Sequence, residues 1–338
     1  MHSGDRSISG TLQRTSGQPR SCVSTNSTAM NTAAIHRPGM ILVVGMPRSG
    51  TTWLGRLLDS HPDTLLRHEP DTIDRGAYAF IPDGVTDADK EIARQHLHRM
   101  ARNKSAKAAG RPPVFAKSYR GSVARAARAG AIYLAKTAEH YQVISSTRQT
   151  VPDFGSGYLP VIKSVGLGRA PLWASAMPSA KIIHLIRHPC GHVHSVMRGM
   201  DRGALPNTVH TGFAECEVAR RYGLTRPYLE GCTRAEALAW RWVVLTQRAV
   251  EADLPLVCYE DLCRHPSEVI GTLFARCGLT PTEQTWRFLA ASVSGQGSFF
   301  ETRRDPLVAA TAWQRDFAFA ERVLDVVTKT NMRPYIDV

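Results

Sequence analysis

A continuous apolar run, Met40-Ile-Leu-Val-Val-Gly45, passes through the loop Gly45-Met-Pro-Arg-Ser-Gly50 into a segment where Trp53, Leu54, Leu57 and Leu58 recur at helical spacing. No other feature restricts the fold as much. An uninterrupted apolar strand is one buried on both faces, which is the habit of a parallel sheet, and parallel strands need helical crossovers. The helix over Thr51–Ser60 stops at His61-Pro62.

The rest of the chain repeats this alternation. Further strands are expected at Thr64–Leu66, Pro113–Lys117, Leu159–Lys163, Lys181–Ile186 and Pro255–Cys258. Arg234–Glu251 places Leu238, Trp242, Leu245 and Ala249 on one helical stripe, and Pro266–Cys277 opens on proline and ends before Gly278. The expected architecture is a three-layer α/β fold, a central parallel β-sheet flanked by helices, with ligands at the carboxyl ends of the strands.

Residues 1–38 are rich in Ser, Thr, Gly and Arg and have no apolar periodicity, so they read as a disordered tail ahead of one domain over 39–338. The tail lacks the apolar core of a secretory signal. A transit peptide, or a start at Met30 or Met40, stays open. No apolar run approaches the ~20 residues that cross a bilayer, so no transmembrane segment is expected. Cys22, Cys190, Cys216, Cys232, Cys258, Cys263 and Cys277 are odd in number and match no zinc spacing. Free thiols, a reducing compartment, a cytoplasmic location and no metal are the expectation. Lys and Arg total 42 against 29 Asp and Glu, a formal charge of +13, which calls for an anionic partner. No recognition motif points to nucleic acid, leaving an acidic surface or a phosphorylated small molecule.

Two segments carry the chemistry. In Gly45-Met-Pro-Arg-Ser-Gly50-Thr51-Thr52-Trp53 the two glycines, between strand and helix, form a nest of backbone N–H groups at the positive end of a helix. The spacing matches the phosphate loop of nucleotide kinases, yet Thr51 stands where they require Lys, and the cation sits inside the loop as Arg48. Downstream, Lys181-Ile-Ile-His-Leu-Ile-Arg187 runs through His188-Pro189 into a helix bearing Ser195. Arg187 at the strand's end and Ser195 in the helix are placed to grip a phosphate from two sides. The best strand thus ends in Arg where a kinase needs an Asp for magnesium.

Pro47-Arg-Ser-Gly-Thr-Thr-Trp53 resembles the 5′-phosphosulfate loop of the sulfotransferases that use 3′-phosphoadenosine-5′-phosphosulfate (PAPS), and Arg187 with Ser195 resembles their 3′-phosphate site. The resemblance spans about residues 39–338 and implies a P-loop-like fold and metal-independent, in-line sulfuryl transfer to a hydroxyl or amine. It further implies that Arg48 contacts the sulfate and bridging oxygen, that Ser49, Gly50, Thr51 and Thr52 hold the 5′-phosphate, and that Trp53 stacks on adenine, unless Trp53 is a core residue. Phe300-Glu-Thr-Arg-Arg-Asp-Pro306, ahead of Trp313, resembles the basic segment closing over the nucleotide, making Arg303 and Arg304 candidate contacts. Val257-Cys-Tyr-Glu-Asp-Leu262 resembles a structural segment of the family, and Lys163 its lysine-bearing strand.

An acceptor hydroxyl must lose its proton, so a base belongs near the sulfate. By the same resemblance Glu69 is the first candidate and His68 the second; the plain alternative is that Glu69 pairs with Arg67 or Arg75. Lys117 and Lys163 rank lower, as sulfate contacts. His184, His188, His192 and His194 read as surface and helix-cap histidines before they read as metal ligands. The competing enzyme reading is a P-loop kinase or NTPase using Mg-ATP, with Asp261 on the metal. The acceptor (carbohydrate, lipid, peptide or small metabolite) stays open, as does the oligomeric state.

Overall fold

Alternation along each strand decides how the layers stack. A computed structural model describes residues 39–294 and 305–336. In it β1 (Ile41–Val44) turns Ile41 and Val43 to one face and Leu42 and Val44 to the other, all four wholly buried. β1 is the middle strand of a five-stranded, all-parallel sheet of order β2-β3-β1-β4-β5. The others are β2 (Thr64–His68), β3 (Leu159–Ser164), β4 (Lys181–Ile186) and β5 (Leu256–Cys258).

The helices fall between them. α1 (Thr51–Asp59) follows β1; α2 (Asp87–Arg102), α3 (Ala106–Ala109) and α4 (Ser122–His140) separate β2 from β3; α5 (Ala170–Ala176) precedes β4. α6 (Pro189–Asp201), α7 (Glu217–Arg221), α8 (Arg226–Gly231) and α9 (Arg234–Glu251) lead to β5. α10 (Tyr259–Arg264), α11 (Pro266–Arg276) and α12 (Glu283–Val293) follow it, and α13 (Pro306–Thr311), α14 (Trp313–Asp316) and α15 (Ala320–Thr328) come last.

On one face Ile41, Val43, Val161, Ile183 and Leu185 pack against Leu54, Leu57 and Leu58 of α1 and Ile270, Leu273 and Phe274 of α11. On the other, Leu42, Val44, Ile162 and Ile182 meet Leu97 and Met100 of α2, Trp173 of α5 and Leu245 of α9. Beyond them Ile186 joins α6, α9 and α15 through Val193, Trp242 and Val323. Each such side chain contributes about 1.5–3 kcal/mol by leaving water. The arrangement has a functional consequence. β1 and β4 are neighbours, yet the helices that follow them lie on opposite faces, so a crevice opens at their carboxyl ends. Val44 registers with His184, so β4 runs on past β1 and delivers Arg187 beside the loop that follows β1.

The expected helix over Arg234–Glu251 forms, capped reciprocally by Thr233 and Glu236, with its stripe buried. Two strand expectations need correcting. β2 continues through Arg67 and His68, because the buried Arg67 guanidinium is matched by Asp153 at 2.9 and 2.8 Å. Pro113–Lys117 is no strand; its only pairing among the described residues is an isolated bridge between Lys117 and Arg120. Proline offers no N–H to a ladder, and the Lys117 side chain is drawn beneath the end of α1.

Candidate active site

Steric demand fixes the loop between β1 and α1. Gly50 holds φ 96°, and a Cβ there would meet the Tyr259 ring at 2.5 Å; a Cβ on Gly45 would meet Leu185 O at 2.7 Å. The loop closes through Ser49, whose N–H and Oγ both donate to Met46 O, at 3.2 and 2.7 Å. Gly50 caps α1 without a side-chain hydrogen bond, and the first turn holds no acid. The opening N–H groups of a helix have no intrahelical partner, so this positive end is left for an anion. Gly50→Ala should destabilise the fold by about 2 kcal/mol or more, read in denaturant melts, since the left-handed φ and the Tyr259 contact both oppose a methyl.

Arg48 stands in the same loop at φ 70°, and Glu69, after β2, at φ 49°. A side chain held in this region costs of order 1–3 kcal/mol, and such strain gathers at functional sites. Arg48 and Glu69, two of the three catalytic candidates from the sequence, carry it.

The second motif joins the first. Arg187 Nη1 donates to Arg48 O at 2.9 Å, and Arg48 Nε donates to Ser195 Oγ at 3.3 Å. Arg187 is buried; its Nη2 donates to Ala309 O at 2.6 Å and its guanidinium lies 4.7 Å from the centre of the Tyr259 ring. Its Nε is buried without a hydrogen-bond partner among the described residues. The Glu260 carboxylate accepts from His188 N at 3.1 Å, fixing the turn that carries Arg187. Tyr259 and Glu260 belong to the segment that sequence reading took as structural. Their part in the site could have been suspected only from β5's place beside β4.

On the far side of β1, Glu69 is held by lysines. Its Oε1 accepts from Lys163 Nζ, its Oε2 lies 3.3 Å from Lys107 Nζ, and His68 Nε2 stands 3.8 Å away. Burial pushes the Glu69 carboxyl up, but the Lys163 ammonium, with His68 and Lys107, more than offsets this and holds it well below the usual carboxylate range. His68 is pushed down, first by burial and then by Lys163. Neither Arg67 nor Arg75 is the Glu69 partner: Arg67 turns to Asp153. Lys107 carried no sequence signal.

Several expectations change here. Lys117 is no sulfate contact: its Nζ donates to Asp59 Oδ1 at 3.1 Å and His61 O at 3.0 Å, and burial pushes it down to about 8 despite Asp59. Lys117→Met should therefore cost about 3–5 kcal/mol of unfolding free energy, as breaking a buried ion pair does, without changing nucleotide affinity. Trp53 packs as a core residue, its Nε1 donating to Ser292 Oγ at 2.9 Å and its ring edge-on to Tyr259. His184, His192 and His194 are buried rather than superficial, while His188 does cap α6, its Nδ1 accepting from Cys190 N at 3.2 Å. Asp261, which a kinase would need on magnesium, lies 3.8 Å from Arg264. Arg303 and Arg304 lie outside the described residues.

A parallel sheet flanked by helices on both faces, with an acid-free loop at its switch point, makes this a three-layer α/β protein. Residues 38–284 match the model of the sulfotransferase family, and the chain belongs to that family. It is 25% identical over 322 residues to carbohydrate sulfotransferase 5 of Mus musculus, with 83% of this chain and 76% of the relative covered. It is 24% identical over 306 residues to carbohydrate sulfotransferase 6 of Homo sapiens, with the same shares covered, 83% and 76%. Among solved structures, the sulfotransferase domain from the curacin biosynthetic pathway aligns with TM-score 0.44 at 14% identity, over 86% of this chain and 97% of that one. A mouse sulfotransferase, SULT7A1, complexed with PAP, aligns with TM-score 0.41 at 11% identity, over 88% and 87%. Sulfuryl transfer is the chemistry of this chain.

Proposed function

We propose that the chain moves the sulfuryl group of PAPS to a hydroxyl of a carbohydrate acceptor, with Arg48, Arg187 and Ser195 binding the donor and Glu69 taking the acceptor proton. The observation that carries the donor assignment is the junction of the two anion motifs, Arg187 Nη1 on Arg48 O and Arg48 Nε near Ser195 Oγ, residues 139 and 147 apart in sequence. A ligand bridging them carries anionic groups at two places, as PAPS does at its 3′- and 5′-positions. The residues fit such a group: Arg187 Nε is buried with no hydrogen-bond partner among the described residues, and the first turn of α1 holds no acid that would repel an anion.

When bound, PAPS supplies the activated sulfuryl group. Gly50, Thr51 and Thr52 would offer the 5′-phosphate N–H and hydroxyl donors, Ser49 would hold the loop in shape through Met46 O, and Arg48 would neutralise the charge growing on the leaving oxygen. Arg187 and Ser195 would hold the 3′-phosphate. The Glu69 carboxylate accepts the proton from the attacking hydroxyl. Lys163 lies on that carboxylate, and negative charge brought near it would lessen its hold on Glu69 and raise the carboxylate's basicity. Acceptor choice is supported by the carbohydrate-directed names of the relatives. Incubation with sulfur-labelled PAPS and separate pools of glycans, phenols, peptides and amines tests this. Label in the glycan pool is the expected result; label confined to another pool would overturn the acceptor, and label in none of them the donor.

A further inference from the structure

α4 buries only Arg128, Ile132 and Ala135 among its own side chains, on the face turned to α3 and Asp153. With 3.6 residues per turn the opposite face presents Val123, Ala126, Gly130, Leu134 and Tyr141, with Thr137 as the one polar side chain among them. Val123 is 83% exposed, Tyr133 and Leu134 68% each and Tyr141 72%, and just past the helix Val143 and Ile144 are 70% and 48% exposed. The solvent face of a surface helix is ordinarily its charged face. Here no charged side chain lies on it from Val123 to Tyr141. Contiguous apolar surface of this kind marks an interaction site.

The charges stand at the border. Arg125 and Lys136 follow one edge of the apolar face, and the exposed Arg148 comes after Ile144. Glu139 is the one acid of the helix, and Lys136 and Ser146 already engage it. A second copy of the chain would set this basic border against its like, on a molecule of formal charge +13. An anionic surface meets both features, the apolar face and the basic edge.

We infer that α4 docks this chain on the surface of a bilayer carrying anionic lipid. Leu134, Tyr133, Tyr141 and Val143 enter the headgroup boundary, and Arg125, Lys136 and Arg148 lie among the phosphate and carboxylate headgroups. α3 packs against α4 on one side and β2 on the other, and its Lys107 reaches Glu69, so docking sets the catalytic edge next to the membrane surface.

Co-sedimentation of the full chain with vesicles of phosphatidylcholine mixed with phosphatidylserine, against phosphatidylcholine alone, tests this. Binding is expected to the mixed vesicles, weakened by added salt, and reduced about tenfold or more by Tyr133→Ser with Leu134→Ser, since each removes an inserted apolar group. The double variant should keep its melting temperature and its affinity for adenosine 3′,5′-bisphosphate, which separates lost docking from lost folding. Equal sedimentation of wild type and variant, or none of either, would overturn the assignment. So would a dimer in solution, seen by light scattering, that the same substitutions dissolve, because the face would then be an interface between copies.

Discussion

Arg48→Ala lowers kcat by about 10²–10³-fold while the protein keeps its fold. Removing one preorganised donor from a site of developing negative charge has that magnitude. The guanidinium sits in the loop itself, at φ 70°, where the chain spends backbone strain to aim it. Arg48→Lys should restore part of the loss, since charge remains, but not all, because an ammonium cannot match the planar fork. Single-turnover kinetics check this; a variant with unchanged turnover would remove Arg48 from the chemistry.

Glu69→Gln lowers kcat by about 10²–10⁴-fold, the range of a general base, and leaves affinity for adenosine 3′,5′-bisphosphate as it was. The pH dependence follows from the ion pairs. The folded carboxyl lies below its unfolded value because Lys163 outweighs the effect of burial. Its contribution to stability is therefore complete above the usual carboxylate range and is lost as pH falls through that range and below it. Activity limited by Glu69 protonation should fall only on the acid side of that range, and the limb should vanish in Glu69→Gln. A variant with wild-type turnover would move the base elsewhere.

Much of this was legible in the chain. The Met40–Gly45 run implied a buried parallel strand, and the observed sheet is all-parallel with that strand in its middle. Both proposed anion motifs stand out because each sits on contiguous residues whose spacing has a physical meaning, glycines for close backbone approach and a cation at a strand end, and the structure brings them together. What could not be read was proximity. Nothing in Val257–Leu262 announces that Tyr259 fills the space a Gly50 side chain would occupy, or that Glu260 steadies the turn after β4.

The partners of the lysines were hidden for the same reason. Lys117 and Lys163 look alike as single residues following apolar stretches, yet one is consumed by Asp59 beneath α1 and the other lies on Glu69. Lys107 belongs to a four-residue helix with no motif and reaches Glu69 only because α3 packs on β2. Histidine burial was also invisible, since one strand and one helix turn them inward for unrelated reasons. Local pattern supplies elements and contiguous motifs; side-chain partners across the sheet come from packing.

Isothermal titration with adenosine 3′,5′-bisphosphate in a metal chelator bears most directly on the proposed two-phosphate pocket. Saturable binding that Arg187→Ala weakens by about a hundredfold, the scale of a lost charged fork at a buried site, is the expected outcome. No heat from that nucleotide, or tight binding only of ATP with magnesium, would contradict it.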